Sequence, residues 1–240
     1  MKKNDRIWEL DALRGVCILC VIAVHLIYDL GFFIGLDLHL PAWYVFIQQY
    51  GGVIFVILSG CCATLGSRSF RRGCIVFACG LLISLVTFGM YRLGMATRDV
   101  IVWFGVLHLL ASCMLLFGLT RKLWEALPAW VLPVLCLALI FLTAPCADGV
   151  TTQTPHLWLF GFTTPDFASA DYFPLLPWFF VFLLGTWAGR YVKAGRLPQW
   201  FYTAKAPRLA LVGRHALLLY VLHQPLLYAL TMLLRLIFIR

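Results

Sequence analysis

The sequence predicts an all-α integral membrane protein, a single bundle of about seven transmembrane helices, and three observations predict it. Hydrophobic residues make up 62% of the 240 and charged residues 12%. The apolar stretches reach the roughly 20 residues a helix needs to cross a hydrocarbon core. The polar connections are too short for a soluble domain of ~50 residues, so 1–240 is read as one transmembrane domain. No internal repeat or low-complexity tract interrupts the succession of apolar segments and turns.

The first span is placed at 8–30. It follows Met1-Lys2-Lys3 as a secretory signal would. However, Asp11 and Arg14 interrupt its apolar run and no small-residue cleavage site follows His25, so it is read as a retained helix. Spans at 43–66 and 73–91 come next, then a break around Gly89 to Asp99 and a fourth span at 100–119. The fifth lies at 128–145. The sixth, at 173–192, opens on Pro174 and Pro177, positions of a first turn that tolerate a missing amide donor. The last is placed at 210–236, where Pro225 frees the carbonyl of Val221 and predicts a kink beside His223.

A net charge of +9 is compatible with nucleic-acid binding, but the distribution of the 19 Lys and Arg has a plainer cause. Basic residues mark the cytoplasmic side of a membrane protein. With the N-terminus inside, Lys2, Lys3, Arg6, Arg14, Arg68, Arg71, Arg72, Arg121, Lys122, Arg190, Lys193, Arg196, Lys205, Arg208 and Arg214 fall on the inner side, and Arg92, Arg98, Arg235 and Arg240 on the outer. That asymmetry predicts an N-terminus in the cytoplasm and a C-terminus outside. No nucleic-acid partner is expected; membrane lipid is, and an oligomer is left open. The nine cysteines fall nearly all in apolar stretches, where Cys acts as a small hydrophobe. Cys17 and Cys20 have C-x-x-C spacing without a second ligand pair, so neither a disulfide framework nor a metal is expected.

Two connections carry distinctive composition. The inner loop from Gly189 to Arg214 is basic, either as an orientation signal or as a rim for a phosphorylated cytosolic cofactor. The outer loop from Cys146 to Tyr172 sets His156, Trp158, Phe160 and Phe162 beside Asp166 and Asp171, with prolines at 155 and 165. Rings beside carboxylates suit a sugar, and an interfacial aromatic belt has the same look.

Arg14 and His25 are the best functional clue. Eleven residues at about 100° each make three turns plus roughly 20°, so both share one face of the first helix, ~16 Å apart along its axis. An intramembrane ionisable pair is costly and marks a functional site by default. The pair sets an anion anchor below a proton-transfer group. Asp29, four residues beyond His25, lies one turn further on the same face, where an acid orients an imidazole. Asp11, three residues before Arg14, offers the competing reading of a satisfied ion pair. His108 and His223 fall within spans, with buried hydrogen bonding set ahead of catalysis for each, and Ser59 reads as a small helix-packing residue.

At these residues the chain resembles the transmembrane acyltransferase superfamily, and more closely the small bacterial branch of the heparan-α-glucosaminide N-acetyltransferase catalytic-domain family. The likeness rests on Glu9-Leu-Asp-Ala-Leu-Arg14-Gly, the Arg14-x10-His25 spacing, Phe55-Val-Ile-Leu-Ser59-Gly60, Gly105-Val-Leu-His108, Ala170 to Trp178 and Gly213 to Pro225. It implies transfer of an acyl group, usually acetyl, from cytosolic acetyl-CoA to an extracytoplasmic sugar or glycan hydroxyl or amine, without a metal. It implies that Arg14 and His25 form the functional core, with His25 as base or acyl carrier and Asp29 beside it. Arg214 and His215 are assigned with Arg14 to the acyl-CoA, and Asp171, Tyr172, Trp178 and His223 to the acceptor. The expected location is the bacterial cytoplasmic (inner) membrane, multi-pass. The rival from another class is a proton-coupled transporter or flippase in which His25, Asp29 and His223 relay protons. A second rival is a non-catalytic partner of another membrane enzyme.

Overall fold

The computed structural model describes residues 7–36, 40–154, 156–203 and 206–238. Lys2, Lys3, Arg6, Lys205 and Arg240 of the charge pattern, and Pro155 of the outer loop, lie outside the described residues. The helices are α1 (Trp8–Asp29), α2 (Ala42–Leu65), α3 (Ser69–Arg92), α4 (Val106–Ala126), α5 (Val131–Thr143), α6 (Leu175–Lys193), α7 (Gln199–Thr203), α8 (Pro207–Arg214) and α9 (Ala216–Phe238). Among the described residues six segments are long and apolar enough to cross a bilayer: Trp8–Ile34, Ala42–Leu65, Ser69–Arg92, Val106–Ala126, Leu175–Lys193 and Ala216–Ile237. A seventh, Val131–Ala147, is shorter. It sits at the low end of the ~17–25 residues that span a bilayer. The protein is an all-α membrane bundle.

The largest departures from the sequence expectation are in the fourth and last spans, while the third begins at Ser69 and not at 73. The fourth span begins six residues later than 100 and runs on to Ala126, because Ile101 to Phe104 pairs in extended form instead of coiling: Ala170 N–H donates to Ile101 O at 3.1 Å and Phe173 N–H to Phe104 O at 2.9 Å. The stretch 210–236 is two helices, broken at His215, whose backbone (φ −100°, ψ 12°) ends α8. By contrast α9 runs unbroken through Pro225.

The chain forms two compact units, 1–58 with 197–240, and 59–196. In the first, α1 lies along α8 and α9. Glycine makes the α1–α8 contact possible: a Cβ on Gly213 would stand 1.7 Å from the carbonyl oxygen of Asp11, and one on Gly15 2.2 Å from that of Leu209. Small residues that let backbones touch are the usual device of helix packing in lipid. The inward stripe of α1 is Asp11, Gly15, Ile18 and Asp29, at the three- and four-residue steps of one helix face. Past Asp29 the helix loosens into a π turn, Leu30–Ile34, closed by Gly35 in the left-handed conformation (φ 75°).

In the second unit α3 packs on α4 and α5 on α6. Two arginines donate to carbonyls at helix ends. Arg121 donates to Thr64 O (3.1 Å) and Gly66 O (2.9 Å) at the end of α2, and Arg190 to Trp124 O and Leu127 O at the end of α4. Ser59 is buried next to Gly60, whose Cβ would meet the backbone of Phe182, in keeping with a packing role. The segment between α5 and α6 is folded, with strands β1 (Val150–Thr151) and β2 (Phe162–Thr163) paired in parallel. Its aromatics pack on one another: Trp158 stacks on Phe167 (6.4 Å, 18°) and meets Phe104 (6.0 Å), and Phe167 meets Tyr172 (4.9 Å).

Candidate active site

The α1 face that the spacing of Arg14 and His25 defines is built in the first unit, with both side chains half-buried beside the inward stripe. At its start, Arg14 donates from Nη1 to Asp11 Oδ1 at 3.3 Å. The competing ion pair therefore forms, and it occupies one donor of a five-donor fork. The α1–α8 contact brings Arg214 to the same end, its Cζ 5.5 Å from the ring centre of Trp8. Arg214 and His215 are exposed, and Trp8 is 48% exposed. Arg14, Arg214 and His215 thus belong to the same end of the α1–α8 pair, with Arg214 over the Trp8 ring.

Towards the other end of α1 the partners come from α9. The rings of His25 and His223 meet edge to face, centroids 4.9 Å apart at 64°. Asp29 is fully buried, and both its oxygens accept from Nε2 of Gln224, at 3.3 and 3.2 Å. The acid expected to orient His25 is turned to the amide of Gln224, and the ring beside His25 is His223. Among the described residues, three buried side-chain polar atoms have no hydrogen-bond partner: Nε2 of His223, Oε1 of Gln224 and Nε1 of Trp178. Buried polar atoms are normally paired. Two of the three, on His223 and Gln224, are adjacent in sequence on α9.

The remaining predicted residues lie in the second unit. Asp171 is half-buried and accepts the N–H of Val106 at 2.9 Å, capping α4; a Cβ on Gly105 would fall 2.1 Å from the same carboxylate oxygen and would displace it. Tyr172 donates its hydroxyl to the carbonyl of Trp158, and its burial pushes the phenol up to about 12. Trp178 lies against Phe173 (5.1 Å) with its indole N–H unpartnered. His108 is buried between Phe77 and Phe104, its Nε2 3.4 Å from Ser84 Oγ, a hydroxyl that donates to Val102 O at 2.6 Å. That network is a packed, internally satisfied one. Among the described residues no group of three His, Cys, Asp or Glu is placed to hold a metal ion.

Burial pushes the Asp171 carboxyl up to about 6, opposed by the Val106 N–H. Its folded value lies above the ~3.9 of an unfolded aspartate. The stabilisation is therefore complete below about pH 4 and is lost as pH rises through about 6. Asn keeps the capping oxygen and removes the titration. The melting temperature of Asp171→Asn in detergent should fall less between pH 4 and 7 than that of the wild type; equal slopes would show that Asp171 does not titrate there.

With this geometry in place, comparison with known families is decisive. The family described as heparan-alpha-glucosaminide N-acetyltransferase, catalytic, matches residues 6–225, nearly the whole chain. The chain belongs to that family. No curated protein and no solved structure matches it. Membership and the spanning helices together make it a multi-pass membrane acetyltransferase, which answers the transporter alternative. The matched region includes every candidate residue named above, from Trp8 to Gln224. Two contributors to the site escaped sequence reasoning. Gln224 was visible only as a neighbour of His223, and Trp8 only as the first apolar residue of α1.

Proposed function

We propose that this acetyltransferase takes the acetyl group from cytosolic acetyl-CoA and delivers it to the hydroxyl or amine of a sugar or glycan outside the bacterial inner membrane. One observation carries the reading. A single face of α1 has the Arg14 cluster at one end and, ~16 Å away by helix rise, the His25–His223 pair with unpartnered acceptor atoms beside it. A stretched pantetheine arm is of the same order as that distance. Phosphates held by Arg14, Arg214 and His215, with the adenine ring against Trp8, would leave the thioester to reach His25. His25 then serves as base or acyl carrier, and Asp29 acts through Gln224. The basic inner side supports a cytoplasmic donor end. Asp171, Tyr172 and Trp178, in the second unit, are kept as proposed acceptor residues.

Calorimetry with CoA tests the donor end. A charge-assisted hydrogen bond is worth about 1.5–3 kcal/mol, so Arg14→Ala should weaken CoA binding ~10- to 100-fold. Lys keeps the charge without the fork, so Arg14→Lys should recover only part of the loss. Unchanged affinity in both variants would return Arg14 to the role of structural partner to Asp11.

A further inference from the structure

The unpartnered nitrogen of His223 has a definite chemical state. Its other nitrogen, Nδ1, lies 2.6 Å from the carbonyl oxygen of Tyr220, one turn earlier on α9. A carbonyl oxygen only accepts, so Nδ1 carries the hydrogen, and in a neutral imidazole Nε2 then holds a bare lone pair. That Nε2 is buried and without a partner among the described residues, and His223 is 7% exposed. Gln224 reinforces the pattern. The Asp29 carboxylate takes both contacts from the Gln224 NH2 group, which leaves Oε1 facing away as a second buried acceptor with no donor. His25, half-buried and edge-on to His223, stands beside them. The site therefore presents two empty hydrogen-bond acceptors, the complement of a group that brings X–H bonds to it.

We infer that Nε2 of His223 is the base that takes the proton from the acceptor's hydroxyl or amine, and that Gln224, held by Asp29, positions the acceptor through Oε1. The inference rests on the acetyl-transfer reading and deepens it by assigning the base to α9. In the step, the acceptor X–H bond breaks and its proton passes to Nε2 while X bonds to the acetyl carbonyl carbon. The bond from that carbon to its leaving group breaks. That leaving group is the CoA sulfur in direct transfer, or a nitrogen of His25 if the acetyl group has first moved there. The leaving group takes the proton back from Nε2, which restores neutral His223 and yields the acetylated acceptor with CoA–SH or free His25. Asp29 is a positioning residue in this scheme, since it touches Gln224 and not the reacting atoms.

Two measurements on the purified full-length protein in detergent test it. The first needs no turnover: with 15N-labelled histidine, the resonances lost in His223→Asn identify His223, and they should report a protonated Nδ1 and an unprotonated Nε2. A protonated Nε2 would overturn the inference. The second follows CoA thiol release from acetyl-CoA with glucosamine, glucose or water as acceptor. His223→Ala should lower kcat by ~10²–10⁴, the usual contribution of a positioned base, with the acetyl-CoA KM unchanged, and free imidazole in the buffer should restore part of the rate. A merely structural histidine is not rescued by imidazole. Wild-type rate in His223→Ala, or a loss that imidazole leaves untouched, would overturn the assignment. Failure of acetyl transfer itself would show in the wild type, and failure of the base assignment only in the variants.

Discussion

Replacing His25 by Ala should leave a folded protein whose acetyl transfer falls by ~10²–10⁴, the scale typical of a positioned catalytic group, here the group that carries the acetyl or completes the pair with His223. The side chain is half-buried and its ring contact is with His223, at 4.9 Å, so the loss of packing is small compared with the loss of chemistry. CoA affinity should stay near the wild-type value, because the groups proposed to bind the phosphates belong to the other end of α1. A well-expressed His25→Ala protein that acetylates at the wild-type rate would remove His25 from the mechanism.

The second large effect is structural. A Cβ on Gly213 would stand 1.7 Å from the backbone oxygen of Asp11, and that obstacle is main chain, which cannot swing aside. Gly213→Val should force α8 off α1. Overpacking that flexible side chains absorb costs about 1–3 kcal/mol. With backbone as the obstacle, the loss should exceed ~3 kcal/mol. It should also scatter Arg14, Arg214 and His215, so CoA binding fails along with stability. The check is the melting temperature and CoA affinity of Gly213→Val beside Leu211→Val, an exposed change on the same helix. Equal melting temperatures for the two variants would mean that the helices do not meet at this glycine.

The helices were legible wherever an apolar run ended in a polar or turn-forming break. Ala42–Leu65 and Leu175–Lys193 fall within two residues of expectation, since hydropathy over 20 residues is set by the bilayer itself. The start of α4 was not legible. Ile101 to Phe104 is as apolar as a helix, and periodicity cannot distinguish a short apolar helical turn from an extended segment whose partners, Ala170 and Phe173, lie far along the chain. The break at His215 was hidden for a related reason: nothing in Gly213-Arg214-His215-Ala216 forbids a continuous helix.

The site divides along the same line. That Arg14 and His25 share a face follows from 3.6 residues per turn and needs no tertiary information. The His25–His223 contact and the Asp29–Gln224 hydrogen bonds link residues nearly 200 positions apart, and no local pattern encodes them. Asp29 looked like the partner of His25 because a carboxylate four residues on shares its face. Its burial against α9 hands it to Gln224 instead. Asp171 had been valued for its chemistry beside aromatics, and its position before α6 gave no sign that it would cap α4.

In the proposed reaction acetyl crosses the membrane while CoA does not. Sealed inside-out membrane vesicles containing the protein, with glucosamine trapped in the lumen and radiolabelled acetyl-CoA added outside, test it directly. Labelled N-acetylglucosamine or labelled envelope glycan should appear inside wild-type vesicles and none in vesicles carrying His25→Ala. Label that reaches the acceptor only when acetyl-CoA and acceptor share one compartment, or equal label with and without His25, would contradict it.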